Sequence, residues 1–165
     1  MIFKNKISYF IGEYRFLSNF YPAEVLLGSM VFRTVEHAWQ AAKTDDIATR
    51  REIQKLYTPN KAKGYGRQIV LKEGWDKVKL LVMRDLLNQK FKENEYFRSL
   101  LKNTGQVQLI EGNGWHDNYW GKCNCQTCRR NGAVGQNHLG RILMQIRSEI
   151  REVSPFDIPD DLFTI

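Results

Sequence analysis

The stretch of the chain richest in side chains that can do chemistry is residues 111–121, which reads EGNGWHDNYWG. It combines two carboxylates, a histidine, two asparagines, three large aromatic rings and three glycines. Because glycine and asparagine favour turns, these residues predict a loop that follows a strand at 106–110. Aromatic walls suit a flat heterocycle, and carboxylates suit a developing positive charge. The alternative is a surface turn with incidental aromatic residues.

Carboxylates and aromatic rings elsewhere in the chain extend this set toward N-glycoside hydrolysis. Breaking a ribosyl–base bond leaves an oxocarbenium-like cation on the sugar, which a carboxylate can stabilise or supply with water. A second acid or hydrogen-bond donor can assist the departing base, and aromatic rings can hold that base by stacking. This chemistry requires neither a metal nor a cofactor. The candidate residues are Phe20, Glu36, Trp75, Glu111, Asp117 and Trp120.

Two of these candidates also have ordinary structural interpretations. Glu36 falls in the first turn of a predicted helix, where a negative charge favours the helix dipole without any further role. Trp75 begins another predicted helix, so it is either an anchor in the core or a ring that stacks on a ligand.

Three cysteines lie close together in the sequence, at Cys123, Cys125 and Cys128. With His138 ten residues further on, they could hold zinc through three sulfurs and one nitrogen. Free thiols in a reducing compartment are the alternative. An odd number of cysteines in a chain that does not begin with a secretory signal argues against a disulfide framework.

The charge balance indicates a polyanionic partner. The chain of 165 residues carries 25 basic and 18 acidic side chains, a net charge of +7. This favours nucleic acid or a substrate that carries phosphate, while a solvated basic surface without a partner is the alternative. No apolar run approaches the length of a membrane span, and the N-terminus lacks the apolar core of a secretory signal. We therefore expect a soluble cytoplasmic protein that does not associate with membranes.

Hydrophobic spacing and capping residues predict the elements that position these side chains. Glycine at the first central position of Gly28-Ser29 suits the tight turn of a hairpin. The segment 60–64 is predicted as a turn, and 123–135 as a loop without periodicity. The predicted strands are 7–11, 23–27, 30–33 and 106–110, and the predicted helices are 34–43, 45–56, 73–91, 95–101 and 137–151.

Five segments in this order resemble the NADAR superfamily, the YbiA-like proteins. They are EYRFLSNFYP, TVEHAWQAAK, WDKVKLLVMRDLLNQKF, EGNGWHDNYWG and GQNHLGRILMQIR, which together span most of the chain from Tyr14 to Arg147. The resemblance implies a helix-rich α+β fold with a small antiparallel β element. We expect one such domain over residues 1–165, with 152–165 as an irregular C-terminal tail.

The resemblance also implies a set of site residues. The family glutamate falls on Glu36, the tryptophan before the long helix on Trp75, and the aspartate before the last Trp-Gly pair on Asp117; we expect these three to be catalytic. Which of the two carboxylates activates water stays open. Other motif positions are expected to bind substrate, and these are Asn19, Phe20, His37, Glu111, Trp120, Gly121 and Asn137. The segment with the three cysteines is not part of the minimal family pattern.

The family comprises N-glycosidases for NAD- and ADP-ribose-related compounds, so the resemblance implies a hydrolase of N-glycosyl bonds. Some members remove ADP-ribose from guanine in DNA, and with the positive charge this is our first hypothesis, an ADP-ribosylglycohydrolase-like activity. Other members cleave phosphoribosylaminopyrimidine intermediates of riboflavin biosynthesis, which gives the second hypothesis. The third, from a different class, is a non-catalytic module that binds ADP-ribose or nucleic acid.

Overall fold

The computed structural model of the chain describes residues 5–152. The predicted tail at 152–165 lies outside the described residues except for residue 152, which is part of the last helix. A 3₁₀ helix at Gly12–Leu17 and a π-helical turn at Gln89–Glu93 complete the helical elements of this part of the chain. The α-helices are α1 Val35–Ala41, α2 Ile47–Lys55, α3 Pro59–Gly66, α4 Trp75–Asn88, α5 Glu95–Asn103, α6 Gln126–Arg130 and α7 His138–Glu152.

Short strands form three separate pairs. The predicted hairpin is confirmed, with β2 Val25–Leu27 antiparallel to β3 Met30–Phe32. The other two pairs are parallel: β1 Lys6–Ile7 with β4 Gln108–Leu109, and β5 Gly112–Asn113 with β6 Lys122–Cys123. The helix-rich α+β assignment is therefore confirmed, although antiparallel pairing accounts for only one of the three pairs in residues 5–152. None of the helices described there is long and apolar enough to cross a membrane.

The segment predicted as a turn at 60–64 is instead part of helix α3. The side chain of Thr58 accepts a hydrogen bond from the backbone N–H of Lys61 at 3.3 Å, which caps the helix. Pro59 occupies the first turn, where its missing N–H costs nothing and its fixed φ favours the helix. Helix α3 packs on α1, and this packing places Lys63 beside the same cavity as Glu36.

The hydrophobic core is centred on α4, which packs on both α1 and α7. Small residues on α1, such as Ala38 and Ala41, are fully buried and allow close approach of its neighbours. Hydrophobic spacing along the long helix predicts that Leu81 faces inward, but this residue is 67% exposed, so that prediction is wrong. The fully buried side chains of the long helices are Met83, Leu86, Leu87, Leu139, Leu143 and Ile146.

Gly140 on α7 is a point of close packing against β4. A Cβ atom at this position would lie 2.2 Å from the backbone oxygen of Leu109 and 2.5 Å from Nδ2 of Asn137. We expect Gly140→Ala to lower the free energy of unfolding by about 3 kcal/mol, because backbone must move to admit the methyl group. Chemical denaturation measures this change.

Gly64→Ala is the matched control for Gly140→Ala. Gly64 also lies within a helix, but a Cβ there would meet nothing within 4 Å. That substitution is expected to stabilise the protein by about 0.5–1 kcal/mol through the lower entropy of its unfolded chain. Equal effects of the two substitutions would contradict the packing account.

Candidate active site

A cavity of about 230 Å³ gathers residues from five parts of the chain. The segment after the 3₁₀ helix, helix α1, helix α3 and the loop that follows β4 each contribute side chains, and α4 contributes a methionine. The lining residues are Ser18, Asn19, Phe20, Glu36, Trp39, Gln40, Lys43, Lys63, Arg67, Met83, Glu111, Trp115, Asp117 and Trp120.

Three carboxyl groups that were singled out in the sequence line this cavity. Glu36 comes from α1, Glu111 follows β4, and Asp117 lies in the loop between β5 and β6. The side-chain amide of Gln40 donates a hydrogen bond of 2.6 Å to Oε1 of Glu36, one helical turn away. Glu36 and Asp117 are about 80 positions apart in the sequence, yet both line this cavity.

The carboxyl group of Asp117 is held by the backbone of its own loop. Its Oδ1 accepts hydrogen bonds from the backbone N–H groups of Tyr119 at 3.1 Å and Trp120 at 2.8 Å. Buried Asn113 organises the same loop: its Oδ1 accepts from the Asp117 N–H at 3.2 Å and its Nδ2 donates to the Asp117 carbonyl at 2.7 Å. The orientation of Asp117 is thus fixed before any substrate arrives.

Asn137 and Gly121 position Glu111 and do not line the cavity. Oδ1 of Asn137 accepts from the Glu111 N–H at 3.0 Å, and its Nδ2 donates to the Leu109 carbonyl at 2.9 Å. A Cβ at Gly121 would lie 2.1 Å from the Glu111 carbonyl oxygen, so only glycine fits there. Both residues were expected to bind substrate, and in this geometry they would act through Glu111.

The aromatic wall is built around Trp39. Its ring packs edge-on against Trp120, with centroids 5.4 Å apart, and against Trp75, with centroids 5.5 Å apart. Trp39 and Trp120 line the cavity, whereas Trp75 is buried behind Trp39. A catalytic role for Trp75 remains a prediction, and from this place it would act by supporting Trp39.

His37 points away from the cavity although its motif predicted substrate binding. Its Nδ1 lies 2.7 Å from Oγ1 of Thr34, and its Nε2 lies 3.1 Å from the Leu56 carbonyl oxygen. The side chain is fully buried, and this burial lowers its pKa. In the structure His37 ties the start of α1 to the end of α2.

His138 does not join the cysteines, contrary to the ligand set considered for zinc. Its Nε2 lies 2.7 Å from Oε1 of Gln136, and its ring centroid lies 4.5 Å from that of Tyr119. The position of His138 at the start of α7 directs it toward this ring instead. The histidine beside the cysteines is His116, whose Nδ1 lies 3.3 Å from Sγ of Cys128.

Burial and neighbouring charges shift the pKa values of two carboxyl groups. Burial raises the pKa of Glu36, an effect that is opposed by the hydrogen bond from Gln40 and by the charges of Lys63, Lys43 and Arg67. Burial, together with the nearby negative charge of Asp117, raises the pKa of Glu111 to about 7. Both groups are therefore able to exchange protons nearer to neutral pH than an ordinary glutamate does.

Four buried polar atoms without a hydrogen-bond partner belong to residues that line the cavity. They are one atom each of Asn19, Trp39, Gln40 and Glu111: Oδ1, Nε1, Oε1 and Oε2, respectively. In the part of the chain that the structure describes, only Oδ1 of Asn88 is a fifth such atom. Buried polar atoms are normally paired, so this concentration indicates a surface prepared for a polar ligand.

The raised pKa of Glu111 predicts a pH-dependent stability difference for Glu111→Gln. The folded protein binds the proton more tightly than the unfolded chain, whose glutamate has a pKa near 4.5. The contribution of Glu111 to the free energy of unfolding is therefore fully present below about pH 4.5 and is lost as the pH rises through about 7. Glutamine has no charge at any pH and therefore does not lose stability in this way. Between pH 5 and pH 8, the free energy of unfolding of the variant should rise by up to about 3 kcal/mol relative to that of the unchanged chain.

Thermal unfolding of both proteins from pH 5 to pH 8 tests this expectation. Glu13→Gln, at an exposed position, is the matched control and should keep a constant difference in Tm from the unchanged chain. A constant difference for Glu111→Gln as well would contradict the raised pKa.

Several lining residues were not predicted from the sequence. Gln40 could have been found, because it lies one turn after Glu36 on the same stripe of α1. Trp115 lies inside the loop that was singled out, and its exposed ring lies 5.5 Å from Nζ of Lys63. No local sequence pattern indicates that Lys63 and Arg67, in and just after α3, line a cavity. The unpredicted lining residues are Ser18, Trp39, Gln40, Lys43, Lys63, Arg67, Met83 and Trp115.

Comparison with known proteins gives consistent relatives. The chain is 37% identical over 145 residues to the protein named N-glycosidase Npun_R5314 of Nostoc punctiforme, with 85% of this chain and 88% of that protein covered. It is 32% identical over 140 residues to N-glycosidase YbiA of Escherichia coli strain K12, covering 84% and 82%. It is 29% identical over 145 residues to riboflavin biosynthesis protein VVA0006 of Vibrio vulnificus, covering 87% of this chain but 37% of that longer protein.

The fold is similar to that in the NMR structure of the E. coli protein YbiA. The TM-score is 0.75 at 30% sequence identity, and the alignment covers 92% of this chain and 88% of that one. The helix-rich fold is thus that of a YbiA-like α+β protein. The NADAR domain family matches residues 8–151, and the chain belongs to this family, as its five sequence segments predicted.

Proposed function

We propose that the chain is a hydrolase of ribosyl N-glycosidic bonds and that its preferred substrate is ADP-ribose attached to guanine in DNA. The observation that carries this proposal is the cavity lined by three carboxyl groups, in which four buried polar atoms, one of them Oε2 of Glu111, have no hydrogen-bond partner. Relatives named N-glycosidases support the reaction class. An ADP-ribosylglycohydrolase-like activity follows from it when the bond cleaved joins ADP-ribose to a base.

The reaction balances without any redox partner. The oxygen of water forms a bond to C1′ of the ribose while the bond from C1′ to the base nitrogen breaks. One proton leaves the water, and the departing nitrogen receives one. Glu36 and Glu111, whose pKa values are raised, exchange these protons, and Asp117 faces the cation that develops on the sugar. Trp39 and Trp120 offer faces or edges on which the base is held.

The charges around the cavity support a phosphorylated substrate. Lys43, Lys63 and Arg67 line it, and none of the three forms an ion pair with an acidic side chain within residues 5–152. They are placed to meet the diphosphate of ADP-ribose or a neighbouring DNA phosphate. The net charge of +7 adds a general attraction to DNA that falls as salt rises.

A phosphoribosylaminopyrimidine is the second candidate substrate. The cavity of about 230 Å³ suits a ribosyl group with one ring more closely than a whole ADP-ribose, which would extend past its mouth. The relatives include proteins named for riboflavin biosynthesis, from Vibrio vulnificus and maize. The reaction at C1′ would be the same for both substrates.

A turnover assay that offers both substrates side by side tests the proposal. We expect free ADP-ribose from modified DNA, with kcat/KM falling at least tenfold between about 50 and 200 mM salt. Faster cleavage of the small nucleotide with a shallow salt response would favour the second candidate. Tight retention of either ligand without turnover would replace the enzyme with a binding module, and no turnover or retention of either would overturn the proposal.

A further inference from the structure

We propose that His116, Cys123, Cys125 and Cys128 bind one zinc ion, which fixes the loop that carries Asp117. One ligand atom from each residue lies within 4.8 Å of all the others. Nδ1 of His116 lies 3.3 Å from Sγ of Cys125 and 3.3 Å from Sγ of Cys128. Within residues 5–152, this is the one group of three or more such side chains whose ligand atoms converge in this way.

The separations fit tetrahedral zinc. With zinc–sulfur bonds of about 2.3 Å and a zinc–nitrogen bond of about 2.0 Å, a tetrahedron places two sulfurs about 3.8 Å apart and nitrogen about 3.5 Å from sulfur. The two nitrogen–sulfur distances of 3.3 Å are close to the tetrahedral value, and every pair of ligand atoms lies within 4.8 Å. Three thiolates and one imidazole are an established structural zinc set, and they leave no position open for substrate.

Hydrogen-bond donors surround the sulfur atoms, which is a second and independent observation. The Sγ atom of Cys123 accepts from the backbone N–H groups of His116 at 3.3 Å and Cys125 at 3.5 Å. Sγ of Cys125 accepts from the Cys128 N–H at 3.3 Å, and Sγ of Cys128 accepts from Nδ2 of Asn118 at 3.4 Å. Donors aimed at sulfur stabilise thiolates, and such outer contacts orient the ligands of metal sites.

The backbone of His116 provides a third indication. Its φ is +67°, in the left-handed region that residues with a side chain rarely adopt. The side chain is exposed, so burial of the ring does not explain this conformation. A bond from Nδ1 of His116 to a metal would offset the cost of this backbone conformation, since strained residues persist where other interactions hold them.

The zinc ion would act on the cavity through the chain and without contact with substrate. Asp117 directly follows His116, and Oδ1 of Asn118 accepts from the Cys123 N–H at 2.9 Å. Through its four ligands, the ion would link His116 in the loop to strand β6 and helix α6, and this link would restrict the movement of the loop. Trp115 and Asp117, which line the cavity, are the residues directly before and after the zinc ligand His116.

Metal analysis of protein purified without a metal-affinity column tests the proposal. We expect about one zinc ion per chain in the unchanged protein. Cys128→Ser should lose most of it, while His138→Asn, the matched histidine outside the cluster, should keep it. Less than about 0.1 zinc per chain after growth with added zinc, with three free thiols or a disulfide by mass spectrometry, would overturn the proposal.

Cobalt substitution of the unchanged chain keeps the test decisive if the cysteine variant does not fold. Tetrahedral cobalt bound by three thiolates gives intense visible bands and sulfur-to-metal charge transfer, and zinc should displace it with loss of colour. A cobalt spectrum without these bands would contradict the site. Both readouts are independent of substrate, so they separate failure of the zinc site from failure of the proposed hydrolase.

Discussion

Replacing Glu36 with glutamine is expected to lower the turnover of an N-glycosidic substrate by about 10³-fold. The substitution keeps the size of the side chain and an oxygen that accepts the Gln40 hydrogen bond, but it removes the group that exchanges a proton. Because glutamine avoids burying a charge, the Tm should not fall. The measurement is kcat on whichever ribosyl substrate the side-by-side assay identifies, together with the Tm of each protein.

Glu24→Gln is the matched control for Glu36→Gln. Glu24 is exposed just before β2 and does not line the cavity, so the same change of atoms should leave turnover unaltered. If Glu36→Gln kept more than about a tenth of the original rate, a direct role for this carboxyl group would be excluded. A large fall in Tm would instead assign the loss to folding.

Replacing Asp117 with asparagine is expected to lower kcat by about 10²- to 10³-fold. Oδ1 of asparagine still accepts the backbone N–H groups of Tyr119 and Trp120, so the loop keeps its conformation. The substitution removes only the negative charge that faces the sugar cation. Steady-state kinetics should show a fall in kcat with little change in KM, since the charge acts mainly in the transition state.

Asp76→Asn is the matched control for Asp117→Asn, because its side chain is 81% exposed and lies outside the cavity. Zinc content should be measured in the same samples, since Asp117 adjoins His116. Loss of activity with unchanged metal content would assign the effect to the charge. Unchanged kcat in Asp117→Asn would remove this residue from the mechanism.

The residues alone predicted a candidate set that includes Glu36, Glu111 and Asp117, and the resemblance to the family added the expectation that they line one pocket. Each lies in a segment whose local pattern was clear, since Thr34 caps a helix and glycine and asparagine break regular structure around Asp117. The common cavity is now described by the structure, whereas the chemical role of each residue stays a proposal.

Other features depended on packing that local patterns do not record. Trp75 and Trp39 are both tryptophans on helices, and only their relative placement decides which ring borders the cavity. His138, ten residues after Cys128, was considered as the fourth zinc ligand, yet His116, seven residues before Cys123 and with a left-handed backbone, is the histidine that lies beside the cysteines. Helix α3 was missed because its glycines suggested a flexible turn, while its capping threonine and first-turn proline determined the outcome.

The parallel pairing of β1 with β4 has a consequence for the order in which the protein assembles. Ile7 pairs with Leu109, so about 100 residues must be made before the first strand finds its partner. During synthesis on a ribosome, the helix with Glu36 emerges early, whereas Glu111 and Asp117 emerge only after most of the helices. Local helices form fast and distant pairings form late. A nascent chain therefore carries Glu36 before Glu111 and Asp117 exist, and the cavity lined by all three carboxyl groups stays incomplete until the chain beyond residue 117 has been made.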